Sequence, residues 1–291
     1  MENKALSKKV LTSLLAMSCV YLGGTSAWPM AEAATLVTSA DQNITLPSTG
    51  DKTQEFSDIN KVYSGDKQVV YLLNAAGDPD RKAIFSGTST VIANNGINSK
   101  QLTALTAYDG AMVELNADLT DLSAVSSKNG VSVIAVVNTS GDNYGSVIKF
   151  NSVETKINAE AVGTATGVYN EKYSAAQFSE ATVSNITAKS QKNDAYALVN
   201  GGKTIINGTV NLKAATDIGD AMGLVGRYES AGFEWVRVGG TVTTSAESIV
   251  NIDVTSTKGR TVGILAENSG TVTVNGALKI SANAAANLSL I

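Results

Sequence analysis

Two stretches of this chain lie over one another without a gap. One is Tyr196-Ala-Leu-Val-Asn-Gly-Gly-Lys-Thr-Ile-Ile-Asn-Gly-Thr-Val-Asn-Leu-Lys-Ala214, the other Ile264-Leu-Ala-Glu-Asn-Ser-Gly-Thr-Val-Thr-Val-Asn-Gly-Ala-Leu-Lys-Ile-Ser-Ala282. The offset of 68 residues sets Asn200 on Asn268, Gly202 on Gly270, Asn207-Gly208 on Asn275-Gly276 and Leu212 on Ile280. Between them lies a third copy with an insertion. Met222-Gly-Leu-Val-Gly226 opens it, and Val236-Arg-Val-Gly-Gly-Thr-Val-Thr-Thr244 resumes it. Self-similarity of this kind is the mark of stacked repeats.

Working outward, each copy reads as three short strands. Val272 and Val274 alternate with Thr271 and Thr273, and Leu278 and Ile280 flank Lys279. That is a period of two, with one buried and one wet face. Asn-Gly is expected at a corner because glycine tolerates the positive φ that a sharp bend requires. Weaker copies lie upstream, in Met112–Asn116, Ser146–Asn151 and Ala165–Asn170. The corner is expected near Asn116, Asn151, Ser179, Asn207, Gly239 and Asn275, at spacings of 35, 28, 28, 32 and 36 residues. One coil of a solenoid has this size, and loop insertions account for the variation.

Asn-Gly also joins hairpin strands, which leaves a sandwich or barrel as the alternative. A hairpin sheet gives no reason for a gapless match 68 residues on. Stacked coils do, since equivalent residues then sit about 4.8 Å apart and like side chains form ladders. The expected fold is all-β, a parallel β-helix. Asn200 with Asn268 and Asn207 with Asn275 are the candidate ladder pairs.

Composition agrees. Hydrophobic residues make up 43% and charged residues 16% of the 291, too apolar for a disordered chain. The net charge of −4 carries no nucleic-acid footprint. The absence of histidine removes every Ser-His or Cys-His nucleophile pair.

Residues 1–33 read as a secretory signal peptide. Lys4, Lys8 and Lys9 precede an apolar stretch from Val10 to Leu22, and Ala31-Glu32-Ala33 offers the small residues a peptidase reads. The apolar run is shorter than the ~20 residues that span a bilayer. The only cysteine, Cys19, lies inside this run without the leucine of a lipid-attachment motif three residues before it. Residues 34–80, with Pro47 and several charges, are expected to cap the stack, because an open solenoid end invites aggregation. Residues 81–291 hold the β-helix repeats. Ala282–Ile291 ends apolar and mid-pattern, as a repeat truncated at its C-terminus would.

No catalytic, cofactor or metal residue is assigned. Ala197-Leu-Val-Asn-Gly-Gly-Lys-Thr204 fits a loose phosphate-binding loop, but a strand and a turn follow where a helix is required. Asp78-Pro79-Asp80 and Asp217-Ile-Gly-Asp220 fall short of the ~6–8 oxygen ligands of a Ca²⁺ site. Tyr228, Phe233 and Trp235, in or beside the insertion, either cover the solenoid wall or form a contact patch. For an enzyme, Glu229, Glu234, Arg227 and Arg237 offer the best available cluster, and their spacing matches no known arrangement.

An exported, Gly/Asn/Thr/Val-rich chain with Ser-Gly-Thr-Val-Thr-Val-Asn-Gly coils resembles the passenger domains of bacterial autotransporter adhesins, of the pertactin-like or haemagglutinin-like kind. The resemblance covers about residues 100–285. It implies a right-handed parallel β-helix, secreted and held at the cell surface outside the outer membrane. It also implies adhesion to host-surface, matrix or bacterial-surface molecules. Such proteins usually end in a membrane barrel, and the residues after Gly259 do not carry its alternating, aromatic-girdled strands. A separate outer-membrane translocator is therefore a further expected partner. The alternative function is a β-helical polysaccharide lyase or hydrolase.

Overall fold

The computed structural model describes residues 43–45, 51–63, 70–73, 80–96, 101–140, 144–230, 237–267 and 269–284. Residues 34–291 form one compact unit. The proposed signal peptide lies outside the described residues.

Among the described residues eight coils succeed one another, each built of three main strands. The first holds β1 (Asn43–Thr45), β2 (Thr53–Ser57) and β3 (Asn60–Tyr63), the second β4 (Val70–Leu73), β5 (Lys82–Ser86) and β6 (Ser89–Asn94). The third holds β7 (Gln101–Leu102) with β8 (Leu105–Tyr108), then β9 (Met112–Leu115) and β10 (Leu119–Ser126). Next come β11 (Ser132–Asn138), β12 (Val147–Phe150) and β13 (Glu154–Ala161), then β14 (Ala165–Asn170), β15 (Ala175–Phe178) and β16 (Val183–Ser190). The sixth holds β17 (Ala195–Asn200), β18 (Lys203–Ile206) and β19 (Thr209–Thr216). The seventh holds β20 (Ala221–Gly226), an inserted pair β21 (Tyr228–Ser230) and β22 (Arg237–Gly239), then β23 (Thr241–Thr244) and β24 (Ile249–Ser256). The eighth holds β25 (Thr261–Ala266), β26 (Thr271–Thr273) and β27 (Ala277–Ala284).

Every third main strand pairs with its counterpart one coil on, which makes three walls. The first runs β1-β4-β8-β11-β14-β17-β20-β25, the second β2-β5-β9-β12-β15-β18-β23-β26, the third β3-β6-β10-β13-β16-β19-β24-β27. All of these pairs are parallel, and among the described residues only the inserted β21–β22 pair is antiparallel. The chain is a parallel β-helix.

The alternation puts one side chain in two into a single core, in columns. Ile92, Leu122, Ile157, Ile186, Leu212 and Ile252 stack inside the third wall. Phe56, Phe85, Leu115, Phe150, Phe178 and Ile206 stack inside the second. Leu105, Val136, Val168, Leu198 and Leu224 stack inside the first. Each such side chain, fully buried, contributes about 1.5–3 kcal/mol. One column breaks the chemistry: Thr90, Thr120, Thr155 and Ser184 lead into Val210 and Val250. Thr120 Oγ1 lies 2.7 Å from Ser152 Oγ, whereas the hydroxyls of Thr155 and Ser184 meet no protein partner. A buried orphan hydroxyl costs about 1–3 kcal/mol. Thr155→Val, with the shape already used at Val210, is therefore expected to stabilise the fold by about 1 kcal/mol. A higher midpoint in urea denaturation is the check, and an unchanged or lower one refutes it.

Three expectations are corrected. The second corner of the seventh coil is Ser245, whose amide donates to Ile206 O, and not Gly239. Lys203 pairs with Thr241, so Gly239-Gly240 repeats Gly201-Gly202, the corner before. The offset of 68 residues holds in the second and third walls, where Lys203 stacks through Thr241 on Thr271 and Thr209 through Ile249 on Ala277. In the first wall, Asn200 stacks on Gly226 and Ala266 and the offset of 68 does not hold; Asn268 lies outside the described residues. Finally, Gly208 and Gly276 do not have positive φ. Glycine is required there because the coils nearly touch: a Cβ on Gly208 would lie 2.3 Å from Ser179 O and 2.6 Å from Thr182 O.

Side-chain amides tie the corners. Asn138 Nδ2 donates to Asn170 Oδ1 and Asn170 Nδ2 to Asn200 Oδ1, both at 2.7 Å and fully buried. Asn151 Nδ2 donates to Asn116 Oδ1 at 2.9 Å on the second corner. Asn207 and Asn275 occupy this second corner two coils apart, with Ser245 between them.

Candidate functional site

The outward sides of the three walls differ in chemistry. On the third, Asn185, Asn211 and Asn251 form an amide ladder, each step 2.8 Å. On the second, Glu114 sits between Lys82 at 3.3 Å and Lys149 at 3.0 Å across three coils. Burial pushes the Glu114 carboxyl up, but hydrogen bonds and charge from Lys149 and Lys82 outweigh it and hold it below the usual range.

The first wall is apolar on its outside as well. Ala197 and Leu198, consecutive in β17, both lie in the main core, while Tyr196 and Val199 on either side belong to a second cluster outside. The alternation of the strand is broken at this point. The column through Ala197 holds only small residues, and a Cβ on Gly167 would lie 2.6 Å from Ala197 O. Two outward columns result. One runs Ile134, Thr166, Tyr196, Met222 and Val262, the other Val137, Tyr169, Val199, Val225 and Leu265. Val199, Met222 and Val225 are only 3%, 7% and 2% exposed, with Tyr169, Tyr196, Val262 and Leu265 packed against them.

Polar groups rim this face. Along one edge Tyr196 Oη donates to Asp194 Oδ2 at 2.9 Å, and Asp194 Oδ1 accepts the amide of Asp220 at 2.8 Å. Asp220 in turn holds Arg260, through Nε at 3.0 Å, Nη2 at 2.6 Å and the backbone amide at 2.9 Å. Burial, then the bond to Asp194, pushes the Tyr196 phenol up to about 12, so it is a fixed donor at neutral pH. The Arg260 guanidinium holds Asp220 below the usual carboxylate range. On the opposite edge Arg227 stacks over the Tyr169 ring, 5.5 Å from its centroid, and Nη2 reaches the phenol oxygen at 3.4 Å. Between the edges lies a shallow cleft of about 400 Å³, floored by Ile134, Val137, Thr166 and Val199. Such a surface offers aromatic faces, a guanidinium and hydroxyls to a partner, the mixture favoured in interface centres.

The residues singled out in the sequence fall as follows. Arg227 lies at this face and leads directly into β21. Tyr228 and Glu229 lie in β21 and Arg237 in β22, where Ser230 pairs with Arg237 and Glu229 with Val238. Phe233, Glu234 and Trp235 lie outside the described residues, as do Asp78 and Pro79. Asp80 is ion-paired with Lys52 at 3.1 Å. Gly201-Gly202 of the phosphate-loop match form the corner between β17 and β18. Tyr169, Tyr196 and Asp194 were not singled out, although they build most of the face. Comparison with protein-family models, with curated proteins and with solved structures finds no match to this chain.

Proposed function

We propose that this chain is a secreted, surface-displayed β-solenoid passenger that acts in adhesion, and that its partners are host-surface, matrix or bacterial-surface molecules. The observation that carries this reading is the cleft on the outside of the first wall, where the half-buried Tyr169, Tyr196 and Arg227 stand with Asp194 and Asp220 beside them. A stiff stack holds such a face in a fixed geometry, so little entropy is lost when a partner docks. In this reading the chain does no chemistry.

The test is binding of residues 34–291 to host cells and immobilised matrix, beside a denatured control and a Tyr169→Ser/Tyr196→Ser variant. The intact unit is expected to bind, and the variant to bind about tenfold more weakly or worse. An unaltered circular-dichroism spectrum shows that the variant keeps its fold. No binding above the denatured control refutes adhesion, and undiminished binding by the variant refutes this face. Release of reducing sugar or unsaturated product from glycans in the same wells would favour the polysaccharide-active alternative.

A further inference from the structure

The outside of the third wall changes along the stack. Toward its end the amides are paired, Asn251 donating to Asn211 and Asn211 to Asn185. This ladder runs one way and stops at Asn185 in β16. Asn185 Oδ1 accepts from Asn211, and its Nδ2 is left without an acceptor among the described residues. At that point a cleft of about 460 Å³ opens, crossing β6, β10, β13 and β16. Two columns line it: Asp121, Lys156 and Asn185 in one, Ser123, Asn158 and Thr187 in the other. Val91 and Ala93 of β6 give it an apolar end. The long side chains in and beside it are engaged with each other, Lys156 with Glu154 at 3.3 Å and Lys189 with Glu160 at 3.1 Å. The short ones between them are not. Asp121, Ser123, Asn158 and Thr187 make no side-chain hydrogen bond among the described residues. Asp121 is half-buried, and that burial pushes its carboxyl above the usual range.

We propose that this cleft binds an uncharged saccharide chain laid along the stack axis, at a site separate from the face of the first wall. The cleft presents a carboxylate that only accepts, an ammonium that only donates, and hydroxyls and amides that can do both. Sugar hydroxyls donate and accept at neighbouring positions, and the C–H faces between them suit Val91 and Ala93. A peptide strand fits poorly, because the backbone groups of β10, β13 and β16 are already engaged in pairing with one another. An anion is disfavoured, since the two ion pairs cancel and Asp121 leaves the cleft negative. A Ca²⁺ ion takes about 6–8 oxygen ligands, more than one carboxylate, two hydroxyls and the amides supply. Adjacent strands lie about 4.8 Å apart, so four of them make a track of about 14 Å, longer than a single sugar ring.

Isothermal titration of the full chain with xylohexaose, cellohexaose, laminarihexaose and maltohexaose tests this, with hexagalacturonate as the charged control. Saturable binding of at least one neutral hexasaccharide is expected, about tenfold or more tighter than the matching disaccharide. Hexagalacturonate is expected not to bind. Asp121→Ala/Asn158→Ala is expected to weaken the binding about tenfold or more. Its denaturation midpoint is expected to stay at the parent value, because neither side chain hydrogen-bonds within the fold. Tyr169→Ser/Tyr196→Ser, on the first wall, is expected to leave saccharide binding unchanged, so adhesion through that face and binding in this cleft are read separately. Failure of all four neutral chains to bind overturns the proposal. So does undiminished binding by Asp121→Ala/Asn158→Ala, a preference for hexagalacturonate, or loss of binding in the tyrosine variant.

Discussion

Asn170→Asp is expected to destabilise the fold by about 3–5 kcal/mol at neutral pH, the range for a buried charge left without a partner. In the native chain Asn170 is fully buried, and its amide nitrogen faces three acceptors: Asn200 Oδ1 at 2.7 Å, Lys203 O at 3.0 Å and Ser174 O at 3.4 Å. Its own Oδ1 accepts from Asn138 at 2.7 Å. A carboxylate keeps the last of these bonds and turns the other side into acceptor against acceptor. The folded state then raises the pKa of the new carboxyl above its unfolded value. At pH well below that unfolded value the carboxyl is protonated in both states, and the penalty appears as pH rises through about 4 and beyond. Asn170→Ala, which removes the amide without adding charge, is expected to cost less, about 1–3 kcal/mol. Denaturation midpoints of both variants at pH 7 and at acid pH check this. An Asp variant as stable as the Ala variant at pH 7, or one whose deficit does not shrink on acidification, would contradict the ladder.

These amides show how far the sequence can be read. The inward columns were legible because Thr271–Val274 and Ala277–Ala282 alternate strictly, and a period of two fixes which residues face inward. The second corner was legible where Asn-Gly marks it, at Asn207 and Asn275. It was lost in the seventh coil, because the insertion falls in the first corner and Gly239-Gly240 repeats Gly201-Gly202. The gapless alignment was itself partly misleading. It is true of two walls, whereas in the first wall the eighth coil is shifted by two positions, which gave Asn200 the wrong partner.

The candidate face was hidden for a different reason. In Ala195–Asn200 two successive residues point inward, so strict alternation assigns Leu198 or Val199 to the wrong side. Apolar side chains on both faces of a strand leave no contrast for a period to show. The contact between Arg227 and Tyr169 spans 58 residues and depends on coil register alone. Of the groups at this face, Arg227 was picked out beforehand as a member of a cluster with Glu229, Glu234 and Arg237, and Asp220 only as part of Asp217–Asp220.

The second large effect concerns the aromatic column of the second wall. Phe178→Ala is expected to cost about 3–5 kcal/mol. Phe150 and Phe178 stack with ring centroids 4.6 Å apart and planes within 6°, and both are essentially without exposure. Truncation removes the buried ring, opens a cavity and forfeits the pair, itself worth about 0.5–1.5 kcal/mol. Phe178→Leu is the control. The column already holds Leu115 and Ile206, so a branched aliphatic chain fits its frame, and a loss of less than about 1.5 kcal/mol is expected. Because each coil touches only its neighbours, a weakened junction in mid-stack separates the coils before it from those after. The Ala variant is therefore expected to unfold over a broader denaturant range than the parent, with amide exchange fastest in β15 and the strands paired to it, β12 and β18. A sharp transition at an unchanged midpoint, or faster exchange confined to β3 and β27, would show that the coupling between coils does not run through this column.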